Sequence, residues 1–319
     1  MKHGMKITLL LLIFFMISQF FGLFVISYDM QKIVDTTTNT TITTLSETAI
    51  GERPQIEGVE TIIFLSTAIL FGTLIILILA RFRKKNLWKL WYFIAIFMTI
   101  SITLGVFVKN PIIYIFALII ALLKIYKPNF YIHNFSEILV YSGIAFLIVP
   151  LLNVLYASVL LFIISLYDAF AVWQSKHMIK LAVFQRDSNV FAGLHMKYDR
   201  NKEQEKIQEN KKEIKPIKTN KYTHMKKSSS KTRTTSAVLG GGDIAFPLVF
   251  AGVFLTYLFS EGYSKTVSYI LTTPIVLTTT ISLALLLMYG KKDKFYPAMP
   301  FISAGCFLGL GISYILTLI

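Results

Sequence analysis

Two of the seventeen acidic residues, Asp168 and Asp243, stand well inside long apolar stretches. The others lie in loops or at the ends of such stretches, Glu60, Glu137 and Glu261 among the latter. A carboxylate placed in hydrocarbon costs on the order of 3 kcal/mol even on the mildest scales, so it is rarely idle. One such residue is readily explained as a structural hydrogen-bonding partner. Two, with no compensating Lys or Arg on the same helices, point to chemistry. Carboxyls held close together cannot both ionise, so such a pair supplies one acid and one base in the same place. That suits attack of water on a carbonyl: the base takes the water's proton and the acid protonates the carbonyl oxygen.

The neighbouring residues fit that chemistry. Gly240, Gly241 and Gly242 immediately precede Asp243, and three glycines are costly at a helix start unless something needs access to the backbone. Close packing of helices through small residues is the plainer explanation and is compatible with the first. Pro297-Ala298-Met299-Pro300 opens the last apolar stretch, and two prolines in four residues are expected to prevent regular helix there and leave carbonyls unpaired. At membrane depth such backbone is tolerated only where it is buried in protein or lines a cavity. His177 has no second His or Cys at ligand spacing and reads as an interfacial structural residue, so no metal is expected. The single cysteine, Cys306, forms no internal disulfide or cysteine-based metal cluster. With no phosphate-binding glycine loop and no serine–histidine arrangement, no cofactor is expected.

The elements that must position these residues are membrane helices. Apolar residues make up 55% of the chain and charged residues only 15%, and the apolar ones come in blocks rather than in alternation. A span needs roughly 20 such residues, because the hydrocarbon core is about 30 Å thick and a helix rises about 1.5 Å per residue. About nine spans are expected, an all-α polytopic membrane protein, near 7–27, 60–80, 89–108, 111–126, 136–150, 154–174, 237–259, 267–289 and 296–317. The fourth and fifth are short and end-loaded with Lys124 and Glu137. The apolar core of the first is too long for a secretory signal and no A-x-A-like site follows, so it reads as a retained helix. The two aspartates match in depth. Asp168 precedes the end of the sixth span by about six residues, roughly 9 Å, and Asp243 follows the start of the seventh by about the same.

Loop charge sets the orientation. The formal charge of +15 lies mostly in loops at membrane ends. One set carries Lys2 and Lys6, then Arg81, Arg83, Lys84 and Lys85, then Lys127, then Lys291, Lys292 and Lys294. The alternate set has only scattered cations. This places the amino terminus inside and the carboxy terminus outside, in a cell membrane. The chain divides into a six-helix part, 1–180, a basic cytoplasmic loop, 181–236, and a three-helix part, 237–319. In that loop Leu181 to Met196 reads as a surface-lying continuation of the sixth helix. Asn201 to Thr235 has no core-forming residues and is expected to be flexible, touching anionic lipid headgroups at most. Aromatic residues are not interleaved there beyond Tyr198 and Tyr222, so nucleic-acid binding is not expected. An outside loop, 29–58, carries the sequon Asn39-Thr40-Thr41.

These motifs resemble those of the presenilin and signal peptide peptidase family of intramembrane aspartyl proteases, including its microbial homologues. Tyr167-Asp168 resembles the YD motif of the sixth helix, Gly240-Gly241-Gly242-Asp243 the GxGD motif of the seventh, and Pro297-Ala298-Met299 the PAL motif of the ninth. Lys176-His177-Met178 is similar to the family as well. The resemblance implies that Asp168 and Asp243 are the catalytic pair. It also implies that Tyr167, the three glycines and the Pro297–Met299 segment contact an unwound transmembrane peptide. Two positions depart from the pattern. Met299 replaces a leucine of similar volume, and Gly241 stands where the family carries a bulky apolar residue implied to shape substrate preference. Presenilins act within a complex and signal peptide peptidases alone, and both modes stay open for this chain.

Two other classes share some of these features. A coupled ion or proton transporter also uses paired intramembrane acids and broken helices, but it predicts two symmetric halves, whereas here six spans precede the long loop and three follow it. A prepilin-type peptidase has a GxGD-like site and gives no account of the proline segment.

Overall fold

The computed structural model describes residues 5–34, 41–54, 56, 58–175, 184–185, 188, 190–199, 234–290 and 296–318. Among them are nine α-helices: α1 (Met5–Asp29), α2 (Val59–Arg81), α3 (Lys85–Phe107), α4 (Ile112–Tyr126), α5 (Phe130–Ile148), α6 (Val154–Phe170), α7 (Gly242–Ser260), α8 (Lys265–Tyr289) and α9 (Met299–Thr317). Eight are long and apolar enough to cross a bilayer. The exception, α4, has 15 residues and extends roughly 22 Å, short of the full hydrocarbon core. The chain is a multi-pass, all-α membrane protein.

Helix α7 is the post around which the others assemble. It packs against α1, α5, α6, α8 and α9, and Leu248, Phe250, Phe254 and Leu255 on it are buried on all sides. A helix apolar all round has no solvent-facing side and belongs in the middle of a membrane bundle. By contrast α2 touches few neighbours and turns Leu70, Phe71 and Leu74 outward. Helix α1 lies in the bundle, with Leu11, Phe15, Leu23 and Ile26 buried. Two helices start on side-chain caps: Asn153 accepts from the Tyr156 N–H at 2.8 Å, and Ser264 from that of Val267 at 3.3 Å.

Two short antiparallel hairpins complete the fold. β1 (Gln31–Val34) pairs with β2 (Thr41–Thr44), and β3 (Gly193–Asp199) with β4 (Thr234–Gly240), Gly193 lying opposite Gly240. The second hairpin corrects two expectations. Gly193 to Met196 do not continue α6; they form a strand, and the mixed pattern there is a strand's alternation, with Leu194 and Met196 buried and His195 between them half-buried. Gly193 opens that strand at φ +147°, a conformation that L-residues rarely adopt. The seventh span, expected from 237, starts instead at Gly242, because Ala237 to Gly240 are strand partners of Met196 to Gly193. His177 and most of the basic loop lie outside the described residues.

A third correction concerns α5. It starts at Phe130, six residues before the expected limit, so Glu137 sits two turns inside the helix and not at its end.

Candidate active site

Asp168 lies in the last turn of α6. Beyond it the helix widens from Ala171 to Ser175 into a π-helical turn, a feature that often marks functional positions. The Asp168 side chain is buried and accepts a hydrogen bond from the Met299 N–H at 3.1 Å. The Ala298 N–H bonds to the same carboxyl. Met299 is the first residue of α9, so its N–H is one of those a helix start leaves without an internal partner, and a carboxylate is a strong acceptor for it. The proline segment is thereby pinned to the aspartate. Pro300 falls inside the first turn of α9, where proline is tolerated. The irregular backbone is thus confined to the residues before Met299, a shorter break than two prolines led us to expect. One turn before Asp168, the hydroxyls of Ser165 and Ser303 lie 2.6 Å apart and tie α6 to α9 again.

Asp243 occupies the first turn of α7. Its carboxyl accepts from the Gly240 N–H and lies within electrostatic reach of Asp168. The Gly241 N–H in turn bonds the Ala192 carbonyl at 3.3 Å, holding the glycine segment to the start of β3. Pro247, one turn on, has no N–H to offer the Asp243 carbonyl, which loosens the helix at this point. Gln19, buried on α1, donates to the adjacent Ile244 carbonyl at 2.9 Å and steadies the loosened turn.

Asp168, Asp243, Gly240, Gly241, Ala298 and Met299, separated widely in sequence, therefore meet at one end of the bundle. Gly242 is exposed beside them, Pro297 is buried, and Tyr167 is half-buried next to Asp168 along α6. Among the described residues no group of three or more His, Cys, Asp or Glu gathers as a metal site would need. Between α6 and α7 lies a small apolar pocket, lined by Leu160, Leu161, Ile164, Phe246, Val249 and Phe250.

Sequence reasoning missed a polar cluster beside the glycines. Glu137 on α5 forms a buried ion pair with Lys124 on α4 and accepts from the hydroxyls of Tyr92, at 3.0 Å, and Tyr141. The signal available was one basic and one acidic residue in consecutive apolar helices, and it was discounted because both were placed at helix ends.

A family model described as signal-peptide peptidase, presenilin aspartyl protease matches residues 22–319. Comparison with curated proteins gives no match. Among solved structures the chain resembles two of a presenilin family intramembrane aspartate protease. The one in space group P2 has a TM-score of 0.56 at 18% identity, over 98% of this chain and 97% of that one. The one in C222 has a TM-score of 0.58 at 18% identity, over 96% and 99%. At this identity the likeness is one of fold.

Proposed function

Since the chain belongs to the signal-peptide peptidase and presenilin aspartyl protease family, we propose that Asp168 and Asp243 are its catalytic pair and hydrolyse peptide bonds within membrane-spanning segments. The observation that carries this is the meeting of three distant segments, with Asp168 bonded to Met299 and Asp243 within its electrostatic reach. Family membership answers the choice between hydrolysis and coupled transport in favour of hydrolysis.

In this reading one carboxylate takes a proton from a water held between the two, and the resulting hydroxide attacks the scissile carbonyl carbon. The other, protonated, carboxyl delivers its proton to the carbonyl oxygen, giving a neutral tetrahedral diol. Collapse of the diol breaks the C–N bond as the first carboxyl passes its proton to the leaving nitrogen, and a diol proton returns to the second. Both carboxyls regain their starting states. The N–H groups of Met299 and Gly240 hold the carboxyls in place throughout, so little reorganisation is needed at the moment of reaction.

The substrate must be unwound to present a carbonyl, and the β3–β4 hairpin supports pairing with it as an added strand. The outer edge of β3 is taken: the Asn134 side chain accepts from the His195 N–H at 3.0 Å and donates to its carbonyl at 3.2 Å. β4 has no second strand partner among the described residues, so its outer edge is the one that receives the peptide. Tyr167, Gly240, Gly241, Gly242, Pro297, Ala298 and Met299 complete the contact surface. The enzyme sits in the cell membrane with its amino terminus and the 181–236 segment inside and its carboxy terminus outside. Reconstitution with a single-span peptide in water enriched in oxygen-18 tests the reading. Two fragments are expected, with one heavy oxygen in the new carboxyl. Intact peptide across a panel of such substrates would overturn it.

A further inference from the structure

Gly241 has φ −64° and ψ −34°, a helical conformation open to any residue. Glycine is therefore not required here by backbone strain. The reason is space: a β-carbon at 241 would lie 2.9 Å from the Tyr141 hydroxyl, closer than real β-carbons come. A tyrosine hydroxyl at the tip of its side chain ordinarily swings aside. This one is held. It donates to Glu137, whose other oxygen receives Lys124 and the Tyr92 hydroxyl. Glu137 and Lys124 are almost wholly buried, and the three helices contributing to the cluster pack on one another. Tyr92 also lies 2.9 Å from the Phe191 carbonyl and His133 2.8 Å from that of Gly193, so the cluster grips the start of β3 as well.

We propose that Tyr141, locked by Glu137, is a positioning residue for Asp243: it fills the place of a side chain at 241 and fixes where the glycine segment carries the catalytic carboxyl. The inference rests on the catalytic reading given above. The device explains why a buried ion pair is maintained two turns into α5, where replacement by apolar residues is often no less stable. It also ties the identity at 241 to the identity at 141, since a larger residue at 241 needs the tyrosine oxygen gone.

Steady-state cleavage of a reconstituted transmembrane peptide by wild type, Tyr141→Phe, Gly241→Ala, their double mutant and Asp243→Asn tests the idea, with thermal unfolding of each. Tyr141→Phe removes one oxygen from a well-packed ring, and Glu137→Gln, measured beside it, replaces the anchoring carboxylate by a neutral amide of the same shape. Both are expected to lower kcat by about tenfold or more with KM nearly unchanged, the signature of a displaced catalytic group. Gly241→Ala is expected to be at least as slow, and adding Tyr141→Phe to it to restore part of the lost kcat. A kcat within twofold of wild type for Tyr141→Phe, or losses in the double mutant that simply multiply, would overturn the proposal. Retained activity in Asp243→Asn would instead overturn the catalytic reading beneath it.

Discussion

Replacing Gly309 by Ala probes how the proline segment is held against Asp168. Gly309 lies midway along α9 where it crosses α8, and a β-carbon there would come 2.4 Å from the Ile275 Cα and 2.4 Å from the Thr278 Oγ1. The Thr278 oxygen can rotate; the Ile275 backbone cannot. Carbon atoms rest about 3.5–4.0 Å apart, so the two helices must part by roughly 1 Å or more at the crossing. Overpacking of this kind costs about 1–3 kcal/mol, offset by about 1 kcal/mol from alanine's better helix propensity. Helix α9 carries Met299, whose N–H bonds Asp168 at 3.1 Å, and a shift of that size takes the pair beyond hydrogen-bonding distance. A misplacement near 1 Å costs up to about a hundredfold in rate. The control is Gly311→Ala, two residues on, which gains the same propensity and meets nothing within 4 Å. Peptide cleavage in liposomes and thermal unfolding should both fall for Gly309→Ala and hold or improve for Gly311→Ala. If Gly309→Ala lowers the melting temperature while kcat stays at the wild-type value, α9 tilts about its proline end and the coupling to Asp168 is refuted.

Lys124→Met leaves Glu137 buried without its partner and should cost about 3–5 kcal/mol; Lys124→Met with Glu137→Met should regain much of that stability in thermal unfolding yet stay slow, because Tyr141 has lost its anchor. Arg53 donates to the Ser46 carbonyl at 2.7 Å and to that of Phe146 at 3.3 Å, and its guanidinium lies over the Phe146 ring. Those bonds and the ring contact are lost in Arg53→Ala, which should lower the melting temperature, at a cost of about 1–3 kcal/mol, with little change in kcat. A substrate strand pairing with fixed backbone groups has one productive direction, so two reporters with the same apolar segment in opposite membrane orientations should differ, the form with its amino terminus outside being cut. Equal cleavage of the two would contradict the direction argument.

The bundle was legible because its signal is block hydropathy, which hydrocarbon imposes on every span independently of its neighbours. The two aspartates and the segment holding Met299 were legible for the complementary reason: polar and irregular elements stand out against that background. What escaped was the structure at the interface. The strand from Gly193 to Met196 alternates over only four residues, too few to tell from a surface helix, and its partner, 237–240, lies about forty residues on in the sequence. The same blindness displaced the start of α7 from 237 to 242. Lys124 does stand in the last turn of α4, whereas Glu137 was assigned to a helix end because hydropathy alone cannot distinguish a charge that terminates a helix from one neutralised inside it. Only the neighbouring helix decides that, and here it places Lys124 against Glu137.

The central claim is that Asp168 and Asp243 act as one unit, and the most direct measurement is the rate of peptide cleavage by Asp168→Asn, Asp243→Asn and the double mutant in the same liposomes. Residues that work as a pair are strongly non-additive. Each single variant is expected to fall to the uncatalysed background with its fold intact, and the double mutant to be no slower. Measurable turnover in either single variant would contradict the account.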